Sequence, residues 1–135
     1  LAENIVNGIG IFHRKVVHKI PITIPANHFW ALIILHDHGT LTISKLSEKL
    51  LISKQQMSPI IDKLCKNGLI KREQDPIDRR NNNITVLPAG IEILESYDRL
   101  MIELLNEKLE VLEDKDIKEF QESLNICSKF FHTIL

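Results

Sequence analysis

The run Asp75-Pro76-Ile77-Asp78-Arg79-Arg80-Asn81-Asn82-Asn83 gathers turn formers and two adjacent guanidinium groups between two β-prone stretches, Leu69-Ile70-Lys71-Arg72 and Ile84-Thr85-Val86-Leu87. That order predicts a hairpin with a cationic tip. A guanidinium fits a narrow minor groove and responds to its enhanced negative potential. A carboxylate two residues before Arg80 can hold that side chain in one rotamer, so Asp78 is expected to brace it and to lower the entropy lost on binding. The competing reading is a surface hairpin whose charged tip does nothing further. Other reactive side chains form no comparable group. His36 and His38 are two potential metal ligands at a helix end, where a zinc site needs three or four. His13, His18, His28 and His132 are scattered singly. Cys65 and Cys127 lie far apart with no neighbouring thiol, which reads as two reduced thiols in a cytosolic protein, with a redox switch as the alternative. There is no Gly-rich phosphate loop, nucleophile motif or metalloprotease spacing. The chain is therefore expected to bind rather than to catalyse, without a metal or cofactor.

Around these residues lie 135 positions, one domain's worth, with 44% apolar side chains and only five Gly and five Pro. That composition favours helices and gives enough apolar surface for a core. No apolar run approaches the roughly 20 residues that span a bilayer. No basic start leads into an apolar stretch and a cleavage site, so a cytoplasmic location without membrane contact is expected. The net charge of −1 hides an uneven distribution. Residues 1–53 carry five basic and three acidic side chains, residues 54–87 seven and four, and residues 88–135 five and eleven. Phosphates would be welcome in the middle of the chain and repelled by its tail.

The periodicity predicts a first helix over 4–19, ended by Pro21 and Pro25. A second helix runs from Ala26 or Asn27 to about His38, with Phe29, Trp30, Ile33, Ile34 and Leu35 on a broad apolar face and Gly39 as its stop. After the β-prone Leu41-Thr42-Ile43, Ser44 is expected to cap a third helix with Leu46, Leu50 and Leu51 inward. Ser53 and Gln56 form a capping-box pattern for a fourth helix over 54–67, with Met57, Ile60, Ile61 and Leu64 inward. Pro59 removes one of its hydrogen bonds and should bend it unless the first turn loosens. Pro88 opens a long helix whose apolar stripe runs from Ile91 to about Leu112. Glu113-Asp114 breaks it, and a last helix carries Ile117, Phe120, Leu124, Cys127, Phe130, Phe131 and Ile134.

Two short helices, a tight turn and two strands describe a winged helix-turn-helix. The exposed start of the fourth helix, with Ser53, Lys54, Gln55, Gln56 and Ser58, would enter a major groove, where Gln can pair with adenine and Lys can reach guanine. Lys63 would meet phosphates. An ordinary solvated helix face explains the same residues.

The segment NGLIKREQDPIDRRNNNITVLPAG, Asn67 to Gly90, resembles the MarR family of bacterial winged-helix transcription regulators in its Asp-x-x-Asp-Arg-Arg tip between strands and its Gly-containing helix start. LTISKLSEKLLISKQQMSPIIDKL is similar to the family's helix-turn-helix. The resemblance implies a mainly α (α+β) fold. A winged lobe (26–87) would bind DNA, and N- and C-terminal helices (1–25 and 88–135) would form a homodimer. It implies Arg80 as the minor-groove arginine, Asp78 as its orienting partner, and Arg79 on the backbone. The partner would be double-stranded DNA with a near-palindromic operator, and the chain a sequence-specific regulator, expected to be a repressor under small-molecule control. The implied effector is a small aromatic or anionic compound, with Phe12, His13, Val16, Phe29, Trp30 and Ile33 as candidate lining residues, against plain core packing. A winged-helix module for protein association without DNA binding, or a thiol-based redox-sensing regulator, are the alternatives. Two departures stand out: Pro59 where many relatives place a polar or basic base-reading residue, and Leu87-Pro88 in place of Leu-Thr.

Overall fold

A computed structural model describes residues 2–134 of the chain. The Ile134 side chain, placed by its spacing on the apolar face of the last helix, lies outside the described residues. Six α-helices and a small sheet follow in the order α1 (Ala2–Lys15), α2 (Ala26–His38), β1 (Leu41–Thr42), α3 (Ile43–Lys49), α4 (Lys54–Lys66), β2 (Ile70–Gln74), β3 (Asn82–Val86), α5 (Pro88–Leu109) and α6 (Asp114–Ile134). The chain divides into two compact units, one ending at Leu100 and the other starting at Met101, so the division falls within α5.

The core of the first unit is built by Leu32 and Leu35 of α2, Leu46 of α3, Met57, Ile61 and Leu64 of α4, and Ile70 and Ile84 of the sheet, all essentially removed from water. Burying each large aliphatic side chain contributes about 1.5–3 kcal/mol. Strand order is β1-β3-β2, antiparallel throughout. Leu41 pairs with Ile84, and Ile70 with Val86, so the apolar positions of the strands meet over the helices. Gly90 lets the first turn of α5 sit on this sheet. A Cβ there would meet the Leu69 carbonyl at 2.5 Å and a Val86 methyl at 2.8 Å.

Helix ends follow local chemistry. Ser53 and Gln56 form the expected capping box at the start of α4. At its end Gly68 donates to the Cys65 carbonyl at 2.9 Å and Leu69 to the Leu64 carbonyl at 3.0 Å. This Schellman arrangement needs a positive φ, and Gly68 supplies 69°. The end of α3 closes in the same way, through Leu51 to Glu48 and Ile52 to Ser47, each at 3.1 Å. Here the left-handed position is occupied by Leu51, at φ 54°.

Several expectations are corrected. Leu51 is 92% exposed rather than inward, because the left-handed turn throws its side chain outward. Thr42, not Ser44, caps α3, its hydroxyl accepting from the Lys45 amide at 3.3 Å; the helix starts one residue before Ser44. Trp30 stands 54% exposed, since Phe29, Ala31, Leu32 and Leu35 already fill the inward side of α2. The first helix stops at Lys15, with Val17–Lys19 forming a 3-10 turn. The fifth stops at Leu109 rather than 112. α4 continues through Pro59, which is exposed, so its missing hydrogen bond is lost on the solvent side.

α1 buries no side chain, and Ile5, Val6, Ile9, Ile11 and Phe12 are exposed along it. In the second unit, α6 exposes Ile117, Phe120, Leu124, Ile126, Phe130 and Phe131. Among the described residues no helix is long and apolar enough to cross a membrane.

Candidate nucleic-acid interface

The β2–β3 hairpin ends in a loop held by two carboxylates. Asp75 Oδ1 accepts the backbone amides of Ile77 and Asp78, each at 2.9 Å, and its Oδ2 accepts Asn83 Nδ2 at 2.8 Å. The Asp78 amide, then Asn83, then the Ile77 amide hold the Asp75 carboxyl below its ordinary range, because each bond favours the charged form. Gln74 Nε2 donates to the Arg79 carbonyl at 2.6 Å, and the Asp75 amide to the Asn81 carbonyl at 3.0 Å. The tip is therefore an Asx turn clamped at both ends.

On this frame Asp78 Oδ1 accepts Arg80 Nε at 3.1 Å and the Arg80 backbone amide at 3.2 Å, while Oδ2 accepts Asn81 Nδ2 at 3.2 Å. The contact expected between Asp78 and Arg80 is present. The Arg80 side chain is 91% exposed, so the pair adds little stability. Its effect is to fix the direction of a solvated guanidinium. Arg79 is exposed beside it.

Several polar groups at the start of α4 bond locally. Gln56 Oε1 accepts both the amide and the hydroxyl of Ser53 at 3.0 Å, so Ser53 and Gln56 are engaged in capping. Ser58 Oγ donates back to the Lys54 carbonyl at 3.0 Å. Lys54 and Gln55 are exposed, as is Lys63 farther along. Sequence reasoning missed Gln74, Asp75 and Asn83, which hold the wing tip. The Asp-Pro-x-Asp spacing and the Asn of β3 were their signals, and both were read only as turn formers.

Of the proposed effector residues, Phe29 is buried, with its ring centroid 4.8 Å from that of Tyr97 at an interplanar angle of 58°. Two clefts share this ring pair. One of about 160 Å³ adds Pro21, Ile22, Glu92 and Ser96, and one of about 300 Å³ adds Ile33, Leu94, Glu95 and Asp98. Val16 is buried; Phe12, His13 and Trp30 are exposed, and none of these four lines either cleft. Glu92 is held below its ordinary range by a 2.7 Å hydrogen bond from Arg99 and by that residue's charge.

Burial pushes the Cys65 thiol up, against a weaker pull from Arg72. That shift favours the less reactive protonated form. The His28 ring, whose two nitrogens are buried without a hydrogen-bond partner among the described residues, is pushed down by burial and then by Lys63. Among the described residues no three His, Cys, Asp or Glu side chains are grouped to hold a metal ion.

The MarR family model matches residues 24–81, the stretch from the start of α2 to the wing tip. The HTH-type transcriptional regulator YsmB of Bacillus subtilis is 33% identical over 111 residues, covering 82% of this chain and 75% of that protein. Transcriptional regulator Tm0710 from Thermotoga maritima superposes with a TM-score of 0.79 at 21% identity, over 97% of this chain and 94% of its own. A mutant of S. aureus MepR bound to an oligodeoxyribonucleotide gives a TM-score of 0.66 at 21% identity, over 83% and 80%. A braced cationic wing, a helix-turn-helix and these likenesses lead to one conclusion: the chain belongs to the MarR family of winged-helix, DNA-binding transcriptional regulators, and is not an enzyme.

Proposed function

We propose that two copies of this chain grip one duplex at two half-sites of a near-palindromic operator. In each copy Arg80 enters the minor groove, Asp78 orients it and Arg79 meets the backbone. Lys54 and Gln55 read the major groove. Ser53, Gln56 and Ser58 support them from the same turn, with Gln56 Nε2 left to reach a base, and Lys63 meets phosphate. Residues 26–87 form the DNA-binding lobe, and 1–25 with 88–135 supply the dimer surfaces. The apolar side chains exposed along α1, and separately those along α6, support pairing, because apolar faces of that kind are costly to leave in water. The protein works in the cytoplasm as a repressor, released from DNA by a small aromatic effector seated against Phe29 and Ile33.

The observation that carries this reading is the exposed Arg80 guanidinium held at 3.1 Å by Asp78 on a clamped turn. Selection of bound duplexes from random DNA tests it. The expected product is an inverted repeat with half-site centres about one helical turn apart. A protein that stays a lone subunit and selects no duplex at low ionic strength would contradict the reading and favour protein association.

A further inference from the structure

The wing tip carries an apolar side chain that its charged contacts leave unexplained. Ile77 is 95% exposed, more than any other large apolar side chain among the described residues. Its backbone is nevertheless fixed on both sides. Asp75 Oδ1 accepts the Ile77 amide and the Asp78 amide, each at 2.9 Å, so one carboxylate holds both peptide groups that flank Ile77. The ring of Pro76 sets φ at the residue before it. The β-branched side chain has few χ1 rotamers to lose on binding. The turn therefore presents a rigid apolar knob three residues before Arg80, whose guanidinium Asp78 steadies at 3.1 Å.

The neighbours of Ile77 decide what such a knob can touch. From Asp75 to Asn83 the only other apolar residue is Pro76, and Asp75, Asp78, Arg79 and Arg80 flank the pair in sequence. A protein partner takes hold through a contiguous apolar patch with charges at its rim, and one isoleucine among charges is no such patch. The wall of a minor groove matches it better. There the carbons of successive deoxyriboses form short apolar strips between anionic phosphates. An apolar side chain with two guanidinium groups close by in the chain fits that alternation, and isoleucine is among the side chains that enter minor grooves. With Arg80 directed at the groove floor, a side chain three residues earlier on the same turn is left for the wall.

We propose that Ile77 packs against the deoxyribose wall of the minor groove beside Arg80, a contact whose contribution to affinity does not depend on salt; it rests on the minor-groove placement of Arg80 proposed above. Titration of the full chain with a duplex selected from random DNA, between roughly 50 and 200 mM salt, tests it with Ile77→Ala, Ile77→Val and Arg80→Ala. Because Ile77 is exposed, neither of its substitutions should move the melting temperature. Ile77→Ala should bind about threefold to tenfold more weakly at every salt concentration, on a line parallel to wild type. Ile77→Val, which keeps the branched shape, should recover most of that loss. Arg80→Ala should bind more weakly and with a salt slope shallower by about one, because it removes a charge. Ile77→Ala at wild-type affinity, a shallower slope for it, or Ile77→Val no better than Ile77→Ala would overturn the proposal. Loss in Arg80→Ala without loss in Ile77→Ala would sink the apolar contact and leave the wing reading standing. Loss in Ile77→Ala without loss in Arg80→Ala would sink the role of Arg80 and leave Ile77 as the contact made by the tip.

Discussion

The role proposed for Arg80 depends on the Asp78 carboxylate that holds its side chain, on a turn that Asp75 clamps. Replacing Arg80 with Ala should cost about 1–3 kcal/mol of DNA affinity. Because the ion pair is solvent-exposed, thermal stability should change little. Asp78→Ala keeps the guanidinium but removes its brace and one repelling negative charge, so it should weaken DNA binding less than Arg80→Ala; equal or greater loss on a common duplex would mean Asp78 does more than orient. Asp75 gives a pH test. Its folded pKa is depressed, so its carboxylate favours the folded turn above the ordinary Asp range. That contribution is lost as pH falls through the lowered value. The amide signals of Ile77 and Asp78, followed by NMR, should titrate below the ordinary Asp range; a midpoint within it would mean the turn does not hold the charge. The sequence showed the Asp78–Arg80 pair through its spacing alone. It did not show Asp75 with Asn83, because that contact spans eight residues and depends on the β2–β3 register.

Helix ends were legible where one residue type decides them. The Ser53–Gln56 box, the Gly39 and Gly68 stops and Pro88 at the first position of α5 could all be read from residue chemistry. Leu51 could not, since a leucine in periodic register with Leu46 and Leu50 reads as core. Only the Schellman closure of α3 forces it into the left-handed region, with its side chain in water. Leu51→Gly should therefore stabilise the fold by up to about 1 kcal/mol, by relieving that backbone strain. Denaturant unfolding checks it, and a destabilised variant would mean that Leu51 has a packing partner. Gly90 is the opposite case. Its Cβ would collide with the Leu69 carbonyl, which belongs to the backbone and cannot turn aside. Gly90→Ala should cost about 1–3 kcal/mol, seen as a lower melting temperature. The capping box also occupies part of the hydrogen-bonding capacity of Ser53 and Gln56, leaving Gln56 Nε2 outside it.

For the whole molecule, the proposed grip on two half-sites needs a second copy, because one wing and one recognition helix span only one of them. The apolar rows of α1 and α6 were visible as periodicity, but a single chain cannot say what covers them. Leu124→Asp, on the exposed face of α6, should turn a dimer into a monomer in sedimentation and lower operator affinity with it; an unchanged dimer would place the interface elsewhere. The uneven charge bears on the same question. The net positive middle of the chain should make binding fall by about 100-fold or more between roughly 50 and 200 mM salt. The central claim is that an arginine fixed by its own carboxylate delivers the DNA contact from each half of a dimer. Its most direct test is the equilibrium affinity of wild type and Arg80→Ala for one selected duplex across that salt range. The expected result is a dimer in both cases, with the variant weaker by about tenfold or more at every salt concentration. Identical binding curves for the two proteins would contradict it.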